Sequence, residues 1–278
     1  MREKVKHYGF ACDVTSIQMA DEITASFTYS VSEKNPEGTG LNGDEPAADD
    51  VTTYDTTYSV KQYLDDVIKL YANNDLIVNL ANALKDYGYY VQTILKQTNK
   101  ETYGEHEDMD KANETAYTEI WTGQSKSEIE RVKDAVASYT ITNNTGLDGD
   151  VGCALQLDAK IGLAIYLPSS ITEDMITLTD ENATKEKEGD TLVVYFPNIA
   201  VNQLAAQHTI IVKVKNSEGT EENKTISACG MTYINSVLNM ADADYTQNGT
   251  TIPAAQVADL KNAVVALYKY YEADQAYR

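Results

Sequence analysis

One apolar pattern, written twice, restricts this chain to few folds. In "YSVKQYLDDVIKLYANND", Val60, Tyr63, Leu64, Val67, Ile68 and Tyr71 recur at helical spacing, with Ser59 placed as the N-cap. The same core returns 170 positions later in "SACGMTYINSVLNMAD" as Tyr233, Ile234, Val237 and Leu238. A second seam, Ile77, Leu80, Leu84, Tyr87, Val91 and Ile94, is matched 183 positions on by Leu260, Ala263, Leu267, Tyr270, Asp274 and Tyr277. Aligning Tyr87-Gly88-Tyr89-Tyr90 with Tyr268-Lys269-Tyr270-Tyr271 gives 181 instead, but the seam is the better physical match until Asp274. Upstream, "FACDVTSIQMADEITASFTY" and "YFPNIAVNQLAAQHTIIVKV" share a strand, a short link centred on Met19 or Leu204, and a second strand, offset by 185. Unequal offsets follow from unequal surface loops, which drift in length at little cost. Each copy therefore reads strand, strand, helix, helix.

The middle of the chain differs. "SKSEIERVKDAVA" is a short amphipathic helix with Ser125 and Glu128 spaced as a capping box. Strand signals follow at 138–142, 151–158, 161–167, 175–179 and 191–196. Within "VGCALQL", Cys153, Leu155 and Leu157 alternate with Ala154 and Gln156, as in a half-buried strand. Gly, Asn, Asp and Ser between these runs supply the turns. The expected class is α+β, in two similar units, each an antiparallel, sandwich-like β-layer covered by a helix pair. The expected organisation is a first unit at 1–97, a linker with a short helix at 98–137, and a second unit with additional strands at 138–278. The first unit reads as lacking the upstream strands of the second, as if cut before them.

Composition narrows the partners. The chain has 278 residues, enough for one large or two ordinary domains, and 43 acidic against 22 basic residues give a net charge of −21. That field repels nucleic acid and anionic membrane, so neither is an expected partner. No 18-residue apolar window exists and no apolar leader follows Met1, so membrane insertion is not expected. Strand-like sequence almost directly after Met1 suggests an internal piece of a longer protein. Cys12, Cys153 and Cys229 are dispersed and form neither a disulfide framework nor a zinc pattern; the sequence leaves open a bridge between one pair with an odd thiol left over, and the default for each is a small buried hydrophobe. The 20 tyrosines against 3 Phe and 1 Trp suit thin layers and binding surfaces, where one end of a ring is buried and the hydroxyl stays wet.

Three groups of residues carry a resemblance. They are Tyr58-Ser59-Val60-Lys61 with Tyr63, Ala83-Leu84 with Tyr87-Gly88-Tyr90 and Gln92, and Ala266-Leu267-Tyr268 with Tyr270. Over most of its length the chain resembles an uncharacterised tyrosine-rich repeat, a β-rich segment with a helical hairpin, in large extracellular proteins of anaerobic gut Firmicutes. Those motifs are packing motifs. The resemblance implies an extracellular, cell-surface location, with attachment through regions outside this chain, and it carries over no catalytic residue.

A search for chemistry finds little. His7, His106 and His208 are isolated, and the common nucleophile, phosphate-loop and metalloprotease motifs are absent from the sequence. "GEHEDMD" at 104–110 reads as a solvated loop. Asp242, Asp244, Thr246 and Asn248 loosely mimic a calcium loop, but Pro253 stands where the closing glutamate belongs. No metal and no cofactor is expected. Five N-x-T triplets, beginning at Asn113, Asn143, Asn182, Asn223 and Asn248, accept glycans only in a eukaryotic secretory host. Tyr87 and Tyr270 lie in the helix seams, whereas Tyr89, Tyr90 and Tyr271 lie off them and are the candidate ligand-binding residues. The expected function is a non-catalytic module for adhesion or ligand binding, its partner a host protein or glycan, set among neighbouring domains of a larger surface protein. The alternatives are a structural spacer and a glycan-active enzyme built on paired carboxylates, for which a single Trp121 is a thin supply of sugar platforms.

Overall fold

A computed structural model describes residue 19 and residues 23–30, 51–98, 123–157, 160–247 and 250–278. Cys12, His7, His106, the 104–110 loop, Asn113, Trp121, Asn248 and the first strand expected upstream of Met19 lie outside the described residues. Among those described, the protein is α+β, with five helices and four antiparallel sheets.

The N-terminal region begins with the hairpin β1 (Ile23–Ser30) and β2 (Val51–Tyr58), paired from Ile23↔Tyr58 to Ser30↔Val51. Two helices follow, α1 (Val60–Leu70) and α2 (Asp75–Thr98). Ser59 caps α1 through a reciprocal pair: its Oγ accepts from the Gln62 N–H at 3.1 Å, and Gln62 Oε1 accepts from the Ser59 N–H at 2.7 Å. Next comes α3 (Lys126–Val136), where Ser125 accepts from the Glu128 N–H at 3.2 Å. The Glu128 carboxylate turns to Arg131 rather than back to the cap, so only half of the expected box forms.

The strands after α3 build two sheets. One has the order β4-β5-β8-β7, from β4 (Gly152–Leu157), β5 (Ile161–Leu167), β7 (Thr184–Glu188) and β8 (Thr191–Ile199). The other has the order β3-β10-β9-β6, from β3 (Thr142–Asn143), β6 (Ile176–Leu178), β9 (His208–Lys215) and β10 (Glu221–Ala228). Alternation along the strands sends Leu163, Ile165, Val194 and Phe196 of the first sheet and Ile210, Val212 and Ile226 of the second into one core. The chain then forms α4 (Gly230–Leu238), the small hairpin β11 (Tyr245–Gln247) with β12 (Thr250–Ile252), and α5 (Ala254–Tyr277).

Helix α5 is the axle of the molecule. Ala263 to Leu267 are five consecutive buried residues, so the helix is covered all round rather than on one stripe. It packs along α2 and against α3 and α4. Across the α2–α5 interface, Tyr87 and Tyr270 stack with centroids 5.8 Å apart, and Lys269 pairs with Asp86 at 3.6 Å. Arg131 forks onto Glu272 at 2.7 and 2.8 Å and tethers α3 to α5. The helix at 126–136, expected within a linker, buries Val132 and Val136 in the same core. A second, smaller cluster holds Met19, Leu64 and Ala81, with Val60, Val67, Ile68 and Leu84 against it.

Candidate functional site

The residues expected to bind ligand lie on the long helices, Tyr89 and Tyr90 on α2 and Tyr271 on α5. Tyr90 is only 7% exposed and joins the main core, so its place off the seam does not expose it. Helix α2 is covered on more than one side near its C-terminal half, which a single-seam reading does not foresee. Burial pushes the Tyr90 phenol up to about 12, with the Asp86 carboxylate adding to the shift. Tyr89 is half-buried and packs edge-on to Tyr90 at 5.3 Å. Tyr271 is half-buried beside Tyr268, at 6.0 Å. These rings clad the helix layer; none lines a pocket described below.

The loop with calcium-like spacing is committed elsewhere. The Lys261 ammonium pairs with Asp242 at 2.5 Å, and Asp244 accepts from the Ala254 N–H at 2.9 Å, at the start of α5. Among the described residues, no group of three or more His, Cys, Asp or Glu is placed to hold a metal ion. Cys153 and Cys229 are free thiols. Burial pushes Cys153 up to about 12, with Cys229 nearby adding to the shift, which leaves it a poor nucleophile. No described helix is long and apolar enough to cross a membrane.

The trough that does exist is on a strand surface. The outer face of the β4-β5-β8-β7 sheet forms an open cavity of about 510 Å³. Strand register explains its shape. Ala154, Ala164, Tyr195 and Thr184 form one row across all four strands, and Gly152, Tyr166, Val193 and Glu186 form the next. Small side chains on β4 and β5 lower the floor, while Tyr166 and Tyr195 stand beside it as diagonal neighbours. At one end β8 sets Pro197 and Asn198 against Gly162 alone, a bulge in which Asn198 takes the left-handed conformation (φ 59°).

Electrostatics stiffen one wall. The Tyr195 hydroxyl donates to Glu188, and that bond, with burial, raises the Tyr195 phenol. Burial also raises the Tyr166 phenol, with the same Glu188 carboxylate adding to the shift. By contrast, the side chains of Gln156, Thr184 and Glu186 have no hydrogen-bond or ion-pair partner among the described residues. The trough thus joins two phenol rings, one of them held by Glu188, to three polar groups without a partner among the described residues. Sequence reasoning identifies β4, β5 and β8 but not this assembly. The outward alternation of Ala154, Gln156, Gly162, Ala164 and Tyr166 is visible in the sequence, yet which strands lie side by side is not.

No protein-family model matches the chain, and neither the curated proteins nor the solved structures hold a significant match to it.

Proposed function

We propose that the chain is a non-catalytic binding module of a large Gram-positive cell-surface protein, acting in adhesion or ligand capture. Its ligand, a host protein or glycan, engages the trough on the β4-β5-β8-β7 sheet. The observation that carries this reading is the trough itself: an open surface with two aromatic side chains, of which Tyr195 is held by Glu188, and unengaged polar side chains. Its size falls in the range typical of ligand sites, roughly 300–1,000 Å³. The extracellular location and attachment through regions outside the chain are supported by the resemblance of the Tyr58–Tyr63 and Ala83–Gln92 segments to the surface-protein repeat.

The non-catalytic part rests on chemistry. A glycoside-cleaving pair needs one carboxyl sheltered enough to hold its proton. Glu186 and Glu188 both stand exposed on the edge strand β7. We further propose two similar units, supported by two matched capping arrangements. The Lys61 N–H donates to the Met19 carbonyl at 2.8 Å, and the Met231 N–H donates to the Leu204 carbonyl at 3.0 Å. Gln62 and Thr232 each accept from the backbone N–H three residues before them.

The test is retention of the chain on arrays of host-derived proteins and glycans, wild type beside Gln156→Ala and Tyr195→Ala. Binding that both variants lose while their melting curves hold supports the trough as the site. Binding that survives both variants overturns it, and turnover of a retained glycan overturns the non-catalytic reading.

A further inference from the structure

We infer that the trough takes a neutral glycan chain, its sugar rings laid against Tyr195 and Tyr166; this rests on the reading of the trough as the binding site. The floor is built from Ala154, Ala164 and Gly162, a shallow lane of small residues with the Gln156 side chain lying over its Gly162 end. A phenol ring offers a flat apolar face to the C–H face of a sugar while its hydroxyl remains hydrated or bonded. The Tyr195 ring is already held by its bond to Glu188, so little rotamer freedom remains to be lost on binding. Gln156 supplies an amide, Thr184 a hydroxyl and Glu186 a carboxylate, all unengaged. That mixture of donors and acceptors satisfies the hydroxyl groups of a sugar chain.

Charge and topology select among ligand classes. Glu186 and Glu188 share the trough side of β7, as residues two apart on a strand must. Two carboxylates in a chain of net charge −21 disfavour uronates and sulfated or sialylated chains. An extended peptide would bind best by adding a strand to a sheet edge. The trough spans both edges of the sheet: β7, "TKEKE", has alternating charges that resist strand addition, and β4, at the opposite edge, packs against α4. The β8 bulge further interrupts a regular ladder at the trough's end.

Calorimetric titration tests this. The probes are hexasaccharides of β-1,4-linked glucose, β-1,4-linked mannose and α-1,4-linked glucose, a hexamer of galacturonic acid, and a set of extended decapeptides. The expected result is saturable binding of at least one neutral hexasaccharide, no binding of the galacturonate, and a loss of about tenfold or more in affinity for both Tyr195→Ala and Gln156→Ala. Gln156 is exposed, so its variant folds even if Tyr195→Ala does not. Decapeptide binding that the same variants abolish would overturn the glycan inference and leave the trough standing as a binding site. Neutral-sugar binding that both variants leave unchanged would overturn the trough as well. Galacturonate binding as tight as that of the neutral probes, or no binding by any neutral probe, also overturns the inference.

Discussion

The strand–strand–helix–helix region at the N-terminus and the β9-β10-α4-α5 region proposed to correspond to it begin their first helices alike and finish differently. Both first helices start within two residues of a strand, Gln62 and Thr232 each accept from the N–H of the cap residue three positions before them, and both helices donate their first-turn N–H to a carbonyl in a preceding link. Their surroundings then diverge. Tyr63 is 56% exposed, whereas Tyr233 packs against the main core, with its phenol raised by burial. Leu70 is 76% exposed, whereas Met240 packs against the core. The β9–β10 hairpin sits between β3 and β6, while among the described residues β1 and β2 pair only with each other. Local capping chemistry is thus shared, and burial is decided by what the rest of the chain lays on top. The buried seam of α1 is narrower than its sequence suggests, because among the described residues no sheet covers the exposed Tyr63 and Tyr71.

Core truncation gives the largest contrast. Ile234 is fully buried, and Ile234→Ala leaves a cavity that should cost about 2–5 kcal/mol. Leu64 holds the corresponding place in the smaller cluster, and Leu64→Ala should cost distinctly less because the site can collapse. Equal costs in denaturant melts would remove the asymmetry. Cap deletion should erase the contrast instead. Gln62→Ala and Thr232→Ala, which remove the two matched acceptors, should each cost about 1 kcal/mol, and a cost confined to one of them would break the likeness of the two helix starts.

A smaller effect separates His208 from its hydrophobic counterpart Ile23. Burial depresses the His208 imidazole below the usual 6.5, against the opposing pull of Asp180, and its Nε2 is buried without a hydrogen-bond partner among the described residues. A depressed histidine stabilises the fold fully above the unfolded value and progressively less as pH falls through and below it. Stability should therefore decline below about pH 6.5, and His208→Leu should flatten that decline; an unchanged slope would sink the assignment. The smallest effect belongs to Tyr63→Ala, expected to cost less than about 0.5 kcal/mol. A cost of several kcal/mol would mean that this face is covered.

Much of this architecture was legible from spacing. Helical periodicity locates α1, α2, α3, α4 and α5, and Ser59 and Ser125 mark two of their starts. β5 was legible to its ends, because an apolar run from Ile161 to Leu167 has turn residues on both sides. β7 was not, since "TKEKE" is an edge strand with no apolar face to betray it. The β11–β12 hairpin lay hidden in what reads as a helix–helix link. The burial of Tyr90 was not legible, because one helix seam cannot show that α2 touches the main core from a second side. The trough required the pairing of Ala164 with both Ala154 and Tyr195, a long-range register that no local window contains.

Amide hydrogen exchange under native conditions compares the two regions most directly. If burial beneath the additional strands governs stability, the α1 amides from Leu64 to Leu70 should exchange through a cheap local opening. The α4 amides from Ile234 to Leu238 should then be protected by at least about tenfold more. Equal protection of α1 and α4 would contradict the account, because the shared capping plan alone would then set the stability of both.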